Sequence, residues 1–141
     1  MLNMLLLDSS SGNANNVALV KLLNEVYDDK LDFKITPKLN SASDALSKDK
    51  YKNGVLLVET FDYYTPFLDM KDSVEKKLNE LKDLMIVSRE NGVKVFIYST
   101  EPINLIKKNT SLEEGVHYDE YMSKKDNFEN TLVPLIDSYL K

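Results

Sequence analysis

Met4 to Leu7 is an unbroken apolar run that stops at Asp8, the pattern of a strand covered on both faces. Beyond Ser9-Ser10-Ser11-Gly12-Asn13, apolar residues return at helical spacing at Val17, Val20, Leu23 and Val26, which predicts a first helix packed through that stripe. Phe33 to Ile35 reads as a short second strand stopped by Pro37, and Ser41 to Tyr51 as a second helix with Ala45 and Leu46 inward. Asn53-Gly54 then turns the chain into Val55 to Val58, the most apolar stretch and the predicted central strand, which ends at Glu59.

A long aromatic loop follows from Thr60 to Lys71. Asp72-Ser73-Val74-Glu75 offers a capping box to a third helix, whose stripe is Val74, Leu78, Leu81 and Met85 and whose stop is Asn91-Gly92. Val93 to Tyr98 predicts the fourth strand. Glu101-Pro102 opens a fourth helix carrying Ile103, Leu105 and Ile106, with Gly115 as its stop. Tyr118 to Met122 predicts the fifth strand, and Phe128, Leu132, Ile136 and Tyr139 or Leu140 the last helix. Five strands alternating with five helices specify an α/β fold, a doubly wound five-stranded parallel sheet in a three-layer sandwich. The 141 residues fit one domain spanning 1–141.

In such sheets ligands bind beyond the carboxyl ends of the strands. Polar residues collect there: Asp8, Glu59, Ser99 and Thr100, and Lys124 after Asp119-Glu120-Tyr121-Met122-Ser123. Each has a plain alternative. Asp8 suits a loop or helix cap, Ser99 and Thr100 suit caps before Pro102, and Lys124 suits a solvated surface. Tyr63, Tyr64 and Phe67 suit loop packing, Met85 and its stripe suit the core, and His117 suits a surface position near a strand start.

Composition narrows the chemistry. The chain has no cysteine, which excludes disulfides, thiolate catalysis and cysteine zinc sites, and its single histidine leaves no histidine cluster. No strand-borne nucleophile has a histidine partner, so hydrolase chemistry has no support. A net charge of -5 argues against nucleic-acid binding. No apolar run reaches the ~20 residues of a membrane span, and the N-terminal run lacks a basic leader, so no membrane role and a cytoplasmic location are expected.

Several segments together resemble the receiver domain of response regulators, over nearly the whole chain. Ser41-Ala42-Ser43-Asp44-Ala45-Leu46 and Tyr51-Lys52-Asn53-Gly54-Val55-Leu56-Leu57-Val58-Glu59 are similar to that family's second helix and third strand, with Glu59 at the phosphoacceptor position. Tyr98-Ser99-Thr100 resembles the strand end bearing the switch hydroxyl, and Tyr121-Met122-Ser123-Lys124 resembles the aromatic switch residue three places before the lysine that pairs with phosphate. The resemblance implies a carboxylate that attacks a phosphodonor, Mg²⁺ held by Asp8 and Glu59, and switch roles for Ser99, Thr100 and Tyr121.

Departures from the pattern shape what it implies. Asp8 is followed by Ser9 where the family has an acidic pair, so Mg²⁺ is expected weakly or not at all. Lys125 replaces the family's proline, and the extra methylene of Glu59 spoils in-line approach. A second register, Asp62-Tyr63-Tyr64-Thr65-Pro66-Phe67-Leu68-Asp69, would make Asp62 the acceptor; Glu59 is preferred because Val55 to Val58 leads directly into it. The expectation is a stand-alone atypical receiver, with phosphorylation impaired or lost and a glutamate that mimics the phosphorylated state by projecting its charge toward Lys124 and Thr100. The resemblance places a protein partner, or a second copy in a homodimer, on the fourth helix, fifth strand and fifth helix, from Ile103 to Lys108 and Tyr118 to Met122.

Ser9-Ser10-Ser11-Gly12-Asn13-Ala14-Asn15 also resembles the phosphate loop of flavodoxins. That likeness implies FMN as the cofactor of an electron-transfer protein, its phosphate on Ser9, Ser11, Gly12 and Asn13. Tyr63 or Tyr64, with Tyr98, would flank the ring.

Overall fold

Alternation along each strand decides which helices its side chains meet. The computed structural model describes residues 1–9, 14–64 and 71–140, the side chains of 71–73 excepted. The strands are β1 (Leu2–Leu7), β2 (Leu31–Thr36), β3 (Val55–Val58), β4 (Lys94–Ser99) and β5 (Glu120–Ser123). The helices are α1 (Ala14–Tyr27), α2 (Leu39–Leu46), α3 (Lys71–Glu90), α4 (Ile103–Thr110) and α5 (Leu132–Tyr139). All strand pairs are parallel, in the order β2-β1-β3-β4-β5. This is the doubly wound, flavodoxin-like three-layer fold that the alternating segments predict.

Leu5 and Leu7 of β1, Leu56 and Val58 of β3, and Val95 and Ile97 of β4 face α2, α3 and α4, where they meet Leu46, Leu81, Met85 and Ile106. The intervening residues, Met4 and Leu6, Val55 and Leu57, Phe96 and Tyr98, face α1 and α5 and meet Val20, Leu23, Leu132 and Ile136. Two-sided burial is why these strands read as unbroken apolar runs. Each fully buried Leu or Val contributes on the order of 1.5–3 kcal/mol. Beside this core, Gly54 serves a close approach, since a Cβ there would stand 2.5 Å from the carbonyl oxygen of Asn3.

Several expected boundaries shift. The inward face of α1 is Asn16, Val20 and Leu23, whereas Val17 is 48% and Val26 65% exposed. A polar residue in the buried stripe hides its period. β2 gains Leu31 and Asp32 at its start and Thr36 at its end, and α2 ends at Leu46 before a separate turn at Asp49–Tyr51 that buries Tyr51. β4 starts at Lys94. α4 stops at Thr110, with Ser111 in the left-handed region at φ 59 donating its N–H to the carbonyl of Lys107, so Gly115 belongs to a later turn. Tyr118 forms only an isolated bridge with Glu114, ahead of β5 proper. Phe128 sits in a short turn before α5. The capping box at Asp72-Ser73 lies outside the described side chains.

Candidate functional site

The strand order reverses between β1 and β3, and the crevice at their carboxyl ends is the usual ligand position of such sheets. Leu7 pairs with Val58, so Asp8 and Glu59 leave the sheet side by side. The Asp8 N–H bonds Thr36 O and the Glu59 N–H bonds Leu7 O, both at 3.0 Å, which fixes the backbone beneath both carboxylates. On the far side Ser99 pairs with Ser123, and the Lys124 N–H continues the ladder to Ser99 O at 2.9 Å. By strand alternation Asp8 follows Met4 and Leu6, Glu59 follows Val55 and Leu57, and Lys124 follows Met122. All three belong on the α1/α5 face.

There they meet. The Lys124 ammonium lies 3.0 Å from Asp8 Oδ2 and 3.1 Å from Glu59 Oε2. Asp8 is 1% and Glu59 6% exposed, and the ammonium also stands over the Tyr98 ring, 5.3 Å from its centre. Asn16, from the buried stripe of α1, donates its amide to Asp8 Oδ2. The other Glu59 oxygen, Oε1, accepts the Ser99 hydroxyl at 2.8 Å and the Phe61 N–H at 3.0 Å. Ser99 Oγ in turn accepts the Glu101 N–H at 3.1 Å, and Tyr121 donates its hydroxyl to the Glu101 carbonyl at 2.6 Å. A continuous set of hydrogen bonds thus runs from Lys124 through Glu59 and Ser99 to Tyr121 on the opposite face.

Not every candidate joins. Thr100 is exposed and lies on the wall of the groove. Asp62 sits in the turn Phe61–Tyr63, exposed as a residue, and among the described residues the carboxylates paired with Lys124 are Asp8 and Glu59. Local loss of water and then the charge of Asp8 raise the Asp62 carboxyl above its ordinary pKa of 3.8, with Lys77 opposing. Burial, then Asp62, Asp8 and Glu80, push Tyr63 up to about 12. Thr65 to Asp69 of the alternative register lie outside the described residues. Asn16 and the Phe61 N–H escaped the sequence reading, because a lone amide on an apolar stripe and a backbone donor in a loop leave no motif.

A groove of about 730 Å³ opens over the cluster, walled by Leu19 and Leu22 of α1, Phe61, Glu101 and Phe128. Its donor set does not suit a resident Mg²⁺. Both oxygens of Glu59 and Oδ2 of Asp8 are already taken by N–H and O–H donors, whereas Mg²⁺ requires their lone pairs in near-octahedral geometry. Among the described residues no group of three or more His, Cys, Asp or Glu is placed to hold a metal. Among the described residues a flavin sandwich is not built either. Tyr98 is buried in the α1/α5 core and Tyr63 in the core on the other face of the sheet, with Tyr64 packed against the same side as Tyr63. Of the proposed phosphate loop, Ser11, Gly12 and Asn13 lie outside the described residues, and Ser9 is exposed.

No helix among the described residues is long and apolar enough to cross a membrane. Of the partner face expected from α4, β5 and α5, Ile106 and Tyr118 are interior, while Leu105 is 41% exposed. No family model, curated protein or solved structure matches the chain.

Proposed function

We propose that this protein is an atypical receiver-like signalling domain that acts by contact with a protein partner, its acceptor chemistry lost and Glu59 holding its switch in one packing. One observation carries this reading. The Glu59 carboxylate receives the Lys124 ammonium, which the resemblance assigns to a phosphoryl oxygen, and a hydroxyl from the switch pair Ser99-Thr100, supplied by Ser99 and not by Thr100. A carboxylate so engaged is a poor nucleophile, because in-line attack needs an oxygen lone pair free and aimed at phosphorus. It is a good permanent anion. Its hydrogen bonds reach Tyr121 through Ser99 and Glu101, so loss of the charge would loosen the α4/β5 surface that a partner reads.

The test pairs intact-mass measurement with amide hydrogen exchange. Wild-type protein incubated with acetyl phosphate is expected to gain no phosphoryl group, and Glu59→Gln is expected to speed exchange across Ile103–Thr110 and Glu120–Ser123. A hydroxylamine-labile phosphoryl group on the wild type would overturn the loss of acceptor chemistry. Unchanged exchange in Glu59→Gln would overturn the switch.

A further inference from the structure

The two buried carboxylates raise a question of charge that is independent of any partner. Asp8 and Glu59 bring two negative charges to a place almost without water, and such charges persist only when paired. The sheet supplies its own counterion. Lys124 Nζ bridges one oxygen of each acid at 3.0 and 3.1 Å, and its side chain is only 14% exposed.

We propose that Lys124 is the resident cation of this site, standing where a divalent ion would have to bind, so that the native domain is indifferent to divalent metal and becomes a metal binder when the ammonium is removed. Three features lead there. The bridged oxygens, Asp8 Oδ2 and Glu59 Oε2, are those a metal shared between the acids would need. A divalent ion entering beside the ammonium would stand within a few ångströms of a like charge in a poorly screened setting, so it must expel Lys124 to bind. The lysine is also held in place: its backbone N–H is fixed to Ser99 O and its ammonium rests over Tyr98. Removing it takes away the one cation that bridges the two acids while Asn16 stays on Asp8 and Ser99 and Phe61 stay on Glu59 Oε1, and divalent ions of this type commonly use one or two protein carboxylates and complete their shell with water.

Mn²⁺ reads the site directly, because a bound paramagnetic ion broadens nearby amide resonances. In wild-type protein the amides of Asp8, Glu59 and Lys124 are expected to stay sharp with Mn²⁺ in modest excess, and Mg²⁺ is expected to leave the melting temperature unchanged. Lys124→Met is expected to melt lower in EDTA, to recover with Mg²⁺ or Mn²⁺, and to bind Mn²⁺ at least roughly tenfold more tightly than the wild type, since a competing positive charge is gone. Adding Glu59→Gln to Lys124→Met should abolish that gain.

Saturable broadening of Asp8 and Glu59 in the wild type would overturn the proposal. So would a folded Lys124→Met that gains no affinity. Should Lys124→Met be unfolded in EDTA, folding that returns with Mg²⁺ supports the proposal, and failure to return overturns it. The readout is separate from the signalling reading: phosphoryl transfer to the wild type would sink that reading while leaving this experiment to stand or fall on metal binding.

Discussion

Ser99 gives its hydroxyl to Glu59 Oε1 at 2.8 Å, although the two residues project from their strands toward opposite faces of the sheet. The bond forms because both stand at strand ends, where a side chain is free to fold over the edge. Ser99 is fully buried and joins the acid to Glu101 and, through it, to Tyr121, whereas Thr100 turns to solvent. Ser99→Ala should therefore lower stability by about 1–3 kcal/mol, the effect of leaving buried hydrogen-bonding groups without a partner. Thr100→Ala should change it by less than about 0.5 kcal/mol. Chemical denaturation of both variants checks this, and equal losses would show that the two hydroxyls are interchangeable.

At the opposite end of the sheet, Arg89 closes a second polar junction that no motif announces. Its guanidinium bonds Asp119 Oδ1 through Nε at 3.2 Å and Nη2 at 3.0 Å, and Nη1 bonds the carbonyls of Gly115 and Val116. The other Asp119 oxygen accepts the Val95 N–H, tying the approach to β5 onto β4. Arg89→Lys keeps the charge and loses the planar fork, so a loss of about 1–3 kcal/mol is expected at neutral pH. Burial tends to raise the Asp119 pKa, but the Arg89 hydrogen bond, the Val95 N–H and nearby positive charge outweigh it and hold the group below 3.8. Its stabilisation is therefore complete above that value and lost as pH falls through the lower folded pKa. Asp119→Asn should remove that portion of the acid transition, and an unchanged acid limb in the variant would place the effect elsewhere.

The fold is legible because its three inner strands, β1, β3 and β4, are buried on both faces. Val55 to Val58 was read with its observed bounds, since the apolar run ends where the chain leaves the sheet. The meeting of Asp8, Glu59 and Lys124 also follows from the sequence once register is known: each continues its strand's α1/α5 parity. Register was what the sequence lacked, because an unbroken apolar run does not reveal which of its residues face which helix. The buried stripe of α1 departs from the apolar spacing for a related reason. Asn16 occupies a buried position by bonding Asp8, a contact between residues on different elements that helical periodicity cannot display. α4 ends before its glycine stop signal because Ser111 takes the left-handed conformation usually left to glycine.

Gly54 offers a test of the turn into β3. It has a neighbour in Asn53 at φ 66, and the Asn53 N–H bonds Gly92 O. A Cβ on Gly54 would meet two backbone oxygens, Asn3 O at 2.5 Å and Tyr51 O at 2.8 Å, and neither can move without shifting β1 or the Asp49–Tyr51 turn. Gly54→Ala is expected to lower stability by about 1–3 kcal/mol through this overlap. Gly115→Ala is the contrast. It has open space but φ 85, so only the backbone strain of about 1 kcal/mol applies. Thermal melts of the two variants should rank in that order, and the reverse order would show that β1 yields readily.

His117 sets a pH dependence of opposite origin to that of a surface imidazole. Its Nδ1 accepts the Glu113 N–H at 3.0 Å while the His117 backbone N–H returns to Glu113 O at 2.9 Å, closing the turn that follows α4. A protonated imidazole has no lone pair for that first bond. Partial burial and then the charge of Lys82 hold the pKa below its ordinary 6.5; Glu113 pulls the other way, and Arg89 adds a lesser lowering. The unfolded chain thus takes up the proton first. Stability from this group is complete above 6.5 and is lost as pH falls through the lower folded value. Urea unfolding should accordingly be flat above about pH 7 and weaken through the mildly acidic range, by no more than about 1 kcal/mol for one partly exposed hydrogen bond. His117→Ala should start lower and lack that decline; a decline of equal size in the variant would assign it to the carboxylates instead.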